Sequence, residues 1–242
     1  MLTSSQHRCA ALQPLAAGGA PVVRGAAARR SVAARATKLY TNPGSRGKIA
    51  EWYIAELGTP VELVQVDMRA GQHKTPAYLK MHPFGQVPVL DDDGHTIFES
   101  GAILIYLAAK HAQLDPAAMG KAAQWTLFAN STLSDAFFGA AKSKRDSLLD
   151  TLDAILAKQP YLEGESFTVG DVAVGAYLLY LPLFFPDMFP IKQQHVWAYM
   201  QRLAARDACP APYKDGVAAV LERTGGGGGG GMGGLFSKIT GR

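Results

Sequence analysis

The chain has 242 residues, 48% of them apolar, which is enough for one large domain or two small ones, and no run of about 18 apolar residues offers a membrane span. The formal net charge of +4 is concentrated at one end: residues 1–50 contain no Asp or Glu, while Arg8, Arg24, Arg29, Arg30 and Arg35 all precede Thr37. Without those five arginines the chain is close to neutral, so nothing supports a nucleic-acid partner.

Residues 1–36 are rich in Ala, Arg, Ser and Gly, free of acid and without an apolar core pattern, which is the composition of an organellar transit peptide. The run from Ser31 to Ala36 resembles the processing region of algal chloroplast leaders. Mitochondrial import and a basic arm kept in the mature protein are the other readings. Cys9 lies in this leader and Cys209 near the far end, so the body holds one thiol, can form no internal disulfide and fits a reducing compartment.

A strand is predicted over 38–41, broken by Asn42-Pro43-Gly44. Ser45 then precedes a helix whose Ile49, Trp52, Tyr53 and Leu57 share one face, and Gly58 and Pro60 end it. Its start points a hydroxyl and free N–H groups past the strand end. A second strand over 61–66 completes a β-α-β unit. The polar segment Gly71-Gln72-His73-Lys74-Thr75-Pro76 leads into a short helix over 77–81. Strands over 87–91 and 95–98 flank Asp93-Gly94, which supplies the positive-φ positions of a tight antiparallel turn. Pro88 belongs at an edge, a first strand position or a cis turn. The next helix opens at Glu99-Ser100 and is apolar on all sides over 102–109, which predicts burial all round. A carboxylate, a hydroxyl and free N–H groups thus meet at the positive end of a helix, where a ligand carboxylate is favoured.

From Pro116 strand signals vanish. One helix is predicted over 117–139, and the next carries Leu148, Leu149, Leu152, Ile155 and Leu156 and stops at Pro160. Thr168 and Asp171 form a capping box, with Phe167 placed to staple onto Val172, ahead of a helix over 172–181 that is apolar all round and must be the local core. Helices over 193–205 and 211–221 follow. The division is a leader (1–36), a mixed α/β domain (37–112), an all-helical domain (116–222) and a glycine-rich flexible tail (225–242), whose Leu235-Phe236-Ser237-Lys238-Ile239 is too short to hold a membrane.

Gly85-Gln86-Val87-Pro88-Val89-Leu90, followed about ten residues later by Glu99-Ser100-Gly101-Ala102-Ile103-Leu104-Ile105-Tyr106-Leu107, resembles the glutathione-binding signature of the soluble glutathione transferases. The resemblance covers 38–222 and implies a thioredoxin-like α/β N-terminal domain followed by an all-α C-terminal domain. It also implies that Pro88 is cis, that the backbone at Val87 pairs with the peptide of glutathione, and that Gln86, Glu99 and Ser100 belong to the binding set. The 71–76 segment is similar to the Gly-x-His-Lys-x-Pro of plant phi-type enzymes, which places His73 and Lys74 on the glycyl carboxylate. Ser45, five residues after Tyr40, stands where theta- and phi-like enzymes carry their serine, a hydrogen-bond donor to the glutathione thiolate. The run from Leu39 to Tyr53 is also similar to cyanobacterial chi-type enzymes, which makes Arg46 the rival activator.

A thiol near pKa ~8.5 must be deprotonated to attack, and a helix N-terminus with a hydroxyl can hold the thiolate. The body has no cysteine at this helix start, which disfavours thiol transfer and leaves conjugation of small electrophiles or peroxide reduction. The expectation is a glutathione transferase with glutathione as co-substrate, no metal or cofactor, no nucleic-acid or membrane partner, and a homodimeric state. A non-enzymatic binding or assembly module on the same fold is the alternative. Tyr177, Phe137 and Phe138 could line an electrophile pocket. The departures from the resemblance, at Met81-His82 where Asn-Pro is commoner and at Gly47-Lys48, are expected to spare the ligand contacts.

Overall fold

Residues 36–112 and 114–225 are described by a computed structural model. The leader expected up to Ala36 lies, but for that last residue, outside the described residues, as does the chain beyond Gly225. Four strands, β1 (Lys38–Thr41), β2 (Glu62–Gln65), β3 (Val89–Asp92) and β4 (His95–Phe98), form one sheet in the order β2-β1-β3-β4. β1 pairs parallel with β2 and antiparallel with β3, and β3 pairs antiparallel with β4. Side-chain alternation gives the sheet two faces. Leu39 and Leu90, cross-strand partners, enter the main core, while Tyr40 and Val89, the next pair, face a smaller cluster with Val66 and Tyr78. Asp93 and Gly94 turn the hairpin with φ of 54° and 88°.

Helix α1 (Gly47–Leu57) crosses from β1 to β2, closes with Gly58 in the left-handed region, and buries Ile49, Trp52, Tyr53 and Ile54. Its first residue must be glycine: a Cβ at Gly47 would lie 2.1 Å from Thr41 Oγ1. The Thr41 hydroxyl instead donates to Glu51 at 2.6 Å, tying the helix to the strand end. The segment after β2 forms a single helical turn over Gln72–Lys74 and then α2 (Pro76–Leu79), capped by Thr75.

Helix α3 (Ser100–Ala112) differs from the expectation of burial all round. Gly101, Ile103, Leu104, Leu107 and Ala108 are buried, but Ala102 and Ala109 are exposed and Ile105 half-exposed. The helix rests on the sheet, α1 and the helical half, and one apolar side stays uncovered.

The helical half comprises α4 (Pro116–Phe128), α5 (Ser134–Phe138), α6 (Arg145–Leu156), α7 (Val169–Phe184), α8 (Gln194–Ala204) and α9 (Ala211–Gly225). α4 and α5 are the single helix expected over 117–139, with a π turn at Ala129–Leu133 that admits an extra residue between them. α7 is the centre: every residue over 169–179 is buried. Its capping box forms, with Asp171 accepting from the Thr168 amide at 2.8 Å, from Leu162 N at 2.9 Å and from the Tyr199 hydroxyl at 2.8 Å. α9 runs on to Gly225, four residues past its expected end. The α/β sheet domain followed by an all-helical domain is the thioredoxin-like arrangement expected. Among the described residues no helix is long and apolar enough to cross a membrane.

Candidate functional site

Two cavities meet at the turn before α1. The first, of ≈ 440 Å³, is polar and lies across the strand ends. It brings together seven of the nine expected site residues, Ser45, Arg46, Gln86, Val87, Pro88, Glu99 and Ser100, with Gly44, Met68 and His82.

The loop and the β4–α3 corner that form this cleft are both specialised. Val87-Pro88 is cis, and the Tyr78 hydroxyl holds the Gln86 carbonyl at 2.7 Å. Glu99 adopts φ +71°, a conformation L-residues avoid at a cost of roughly 1 kcal/mol or more, so the corner is strained at two of the expected binding residues. That twist exposes the Glu99 side chain while its carbonyl accepts from Ile103 N at 3.0 Å and starts α3. The next residue, Ser100, is 2% exposed and its Oγ has no hydrogen-bond partner. A buried hydroxyl without a partner at a helix N-terminus can donate to an oxygen placed in the cleft.

At the other end, Ser45 Oγ donates to the Asn42 carbonyl at 2.7 Å and accepts from Gly47 N at 3.1 Å. The amides of Gly44 and Ser45 also bond back to Asn42. Most of the N–H groups expected to be free here therefore hold the turn, and the donors left to face the cleft are the Ser45 hydroxyl and Arg46. Arg46 is exposed, and its guanidinium enters none of the ion pairs among the described residues.

His73 and Lys74 are not in the cleft lining. They sit behind the 82–85 turn, where Lys74 Nζ donates to the Phe84 carbonyl at 3.0 Å and His73 Nδ1 is buried without a partner. Gly85 packs directly on this segment, and a Cβ there would meet the His73 carbonyl at 2.6 Å.

The residue that sequence reasoning passed over is His82. The Met81-His82 departure is expected to spare the ligand contacts, yet the His82 ring lines the cleft and is 2% exposed. Burial pushes its pKa below the ordinary value of 6.5, opposed by Glu99 and aided by Lys74. No sequence pattern marks a buried histidine on a loop; only the neighbouring Phe84 and Phe98 hint at an aromatic nest.

The second cavity, ≈ 460 Å³, is aromatic. Phe138, Tyr177, Tyr180, Phe184, Phe185 and Tyr213 line it, and Ser45 and Arg46 line it as they do the first. Phe138 and Tyr177 were expected candidates; Phe137 is 0% exposed and stays in the core. The hydroxyl of Tyr177 is buried with no partner. Cys209 lines neither cavity, and burial pushes its thiol up to about 12.

Residues 35–109 match the family described as "Glutathione S-transferase, N-terminal domain", and residues 119–207 match its C-terminal domain. Glutathione S-transferase 3 of Zea mays is 31% identical over 204 residues, covering 71% of this chain and 90% of that protein. Glutathione S-transferase PM239X14 of Arabidopsis thaliana is 36% identical over 148 residues, covering 48% of this chain and 68% of that protein. A theta class glutathione S-transferase from Xanthomonas axonopodis pv. citri, solved with glutathione bound, superimposes with a TM-score of 0.61 at 30% identity, over 75% of this chain and 97% of that one. On its sheet and helical halves alike, the chain belongs to the glutathione S-transferase family.

Proposed function

We propose that the polar cleft binds glutathione and presents its thiolate to a small electrophile held in the aromatic cavity, conjugating it or reducing it where it is a peroxide. The observation that carries this reading is the position of Ser45 and Arg46 at the junction of the two cavities. A sulfur placed there touches donors on one side and an apolar, ring-lined space on the other. The γ-glutamyl end then lies on Glu99 and Ser100, whose unpartnered hydroxyl it satisfies, and the peptide backbone lies along Val87. His73 and Lys74 serve the glycyl carboxylate only if the lysine amine exchanges the Phe84 carbonyl for it.

The reaction needs a stabilised anion and no general base on the protein. Free thiol sits near pKa ~8.5, and each unit of depression is worth about 1.4 kcal/mol, within reach of one hydrogen bond and a helix terminus. Retention on glutathione resin, followed by a panel of chloronitroaromatic and hydroperoxide substrates, tests the reading. Elution is expected with free glutathione, with retention weakened in Ser100→Ala. Retention without turnover on any electrophile favours the binding-module reading, and no retention overturns the assignment of the cleft.

The reading extends to the whole chain in two further respects. Residues 1–36 act as an organellar transit peptide, chloroplast first and mitochondrion second, on the strength of their acid-free, Arg- and Ala-rich composition. The protein works as a homodimer, supported by the uncovered apolar side of α3 and by Leu127 of α4, which is 62% exposed.

A further inference from the structure

His82 is the one titratable group buried in the cleft that the proposed chemistry leaves unused. Its amide donates to the Tyr78 carbonyl at 3.0 Å and its carbonyl accepts from Gly85 N at 2.8 Å, so it opens the turn that delivers Gln86, Val87 and cis Pro88. Its ring stacks on Phe98, with centroids 4.6 Å apart and planes 27° from parallel, and meets the edge of Phe84 at 6.1 Å. Phe98 is the residue before Glu99. One imidazole therefore joins the two pieces of chain that form the cleft, and its Nδ1 is buried with no partner.

We propose that His82 is a positioning residue for glutathione: an uncharged imidazole wedge that holds the Gln86–Val87 loop against the Glu99–Ser100 corner, so that protonation of the ring loosens glutathione binding. The inference rests on the glutathione reading of the cleft. In the neutral ring the atom left unpaired beside Phe98 is an uncharged Nδ1. An imidazolium adds a second N–H donor and a charge to a ring that is 2% exposed and stacked on Phe98, so protonation favours a turn lifted off the corner, where both donors reach water. The charged groups facing it are Glu99 from the corner, which attracts the imidazolium, and Lys74 from the turn behind, which repels it; Arg46 lines the same cleft, and Tyr78 of α2 is neutral at physiological pH. An imidazolium would also draw the Glu99 carboxylate away from the ligand's ammonium. Burial holds the ring neutral above its lowered pKa, so the effect is confined to pH below 6.5.

The test uses S-methylglutathione, which has no thiol and no group titrating between pH 5 and 7. Its dissociation constant is measured across that range for the full chain and for His82→Phe, which keeps the stack and removes the proton. The wild type is expected to weaken by ~3- to 10-fold toward pH 5, a pKa change of up to about one unit on binding, while His82→Phe stays within twofold. His82→Ala, which loses the wedge, should raise KM for glutathione at pH 7 with kcat within about twofold; if that variant does not fold, His82→Phe alone carries the test. A flat wild-type profile, an unchanged slope in His82→Phe, or a loss in His82→Ala confined to kcat each overturns the inference. Failure of the wild type to bind S-methylglutathione even at pH 7 overturns the glutathione reading itself.

Discussion

The turn before α1 offers the sulfur two donors, and their surroundings rank them. Ser45 Oγ already accepts from Gly47 N, and its proton has only to exchange the neutral Asn42 carbonyl for a thiolate, a charged and therefore stronger acceptor. Arg46 is exposed, so its charge is screened by solvent and salt. Ser45→Ala is expected to lower kcat/KM by ~10- to 1,000-fold with glutathione affinity nearly intact, the scale of losing one hydrogen bond to an anion. Arg46→Ala is expected to cost less, and more at low salt than at high. Titration of the bound glutathione thiol decides between them: a pKa that rises in the arginine variant and holds in the serine variant reverses the assignment. Ser100 makes a complementary case. Its hydroxyl is buried without a partner in the free protein, so Ser100→Ala should leave Tm unchanged or raised while KM for glutathione rises several-fold, whereas a purely structural cap would lose stability instead.

Among the elements, β3 and α3 are joined through Asp92, and this sets an acid limit on the sheet. Asp92 accepts from Thr37 Oγ1 at 2.8 Å and from Tyr106 and Lys110 of α3. Burial alone would raise its pKa; the hydrogen bonds from Lys110, Tyr106 and Thr37 outweigh it and hold the group at about 2, below the ordinary 3.8. A depressed carboxylate stabilises the fold fully above its unfolded pKa, and that stability is lost as pH falls from near 4 toward 2. Because Lys110 is 41% exposed, the contribution is on the order of 1–2 kcal/mol. Asp92→Asn should lower Tm at pH 7 and flatten its fall between pH 5 and 2.5, and parallel wild-type and variant curves would refute the role. None of this network was visible in the sequence, which placed Asp92 merely beside a turn. What could be read were features that local chemistry dictates: Asp93-Gly94 for the hairpin, Gly58 for the end of α1, Thr168 and Asp171 for the cap of α7. What could not be read depends on neighbours. An all-apolar run cannot say which side of α3 another element covers, a π turn has no composition of its own, and the burial of His82 comes from two aromatic residues, one of them sixteen positions away.

At the scale of the whole molecule, α1 is fastened to the helical half, and this fixes the junction of the two cavities. Glu56 accepts from Arg206 at 2.8 and 2.7 Å and from Trp52 Nε1 at 2.9 Å, while the guanidinium lies 3.6 Å from the centre of Phe167. Trp52 itself is fully buried against Phe167 and Tyr213, the latter a wall of the aromatic cavity. Among the described residues, Thr37 is the first tied into this assembly: its carbonyl accepts from Glu62 N at 2.9 Å and its hydroxyl donates to Asp92. If residues 1–36 are the transit peptide proposed above, N-terminal sequencing of the protein isolated from the organelle is expected to begin at Ala36 or Thr37, and a mature form that retains Arg8 would end the import proposal. Dimerisation can be tested without assuming a particular geometry. Covering exposed apolar surface contributes about 25 cal/mol per Å², so a charge introduced into that surface should oppose association far more than it opposes folding. Leu127 is the probe: at 62% exposure it contributes little to the core, so Leu127→Glu should keep the Tm of the wild type. Light scattering at micromolar concentration is expected to give twice the chain mass for the wild type and to shift toward the chain mass for Leu127→Glu. A monomeric wild type refutes the dimer, and a dimer indifferent to the substitution moves the interface away from α4.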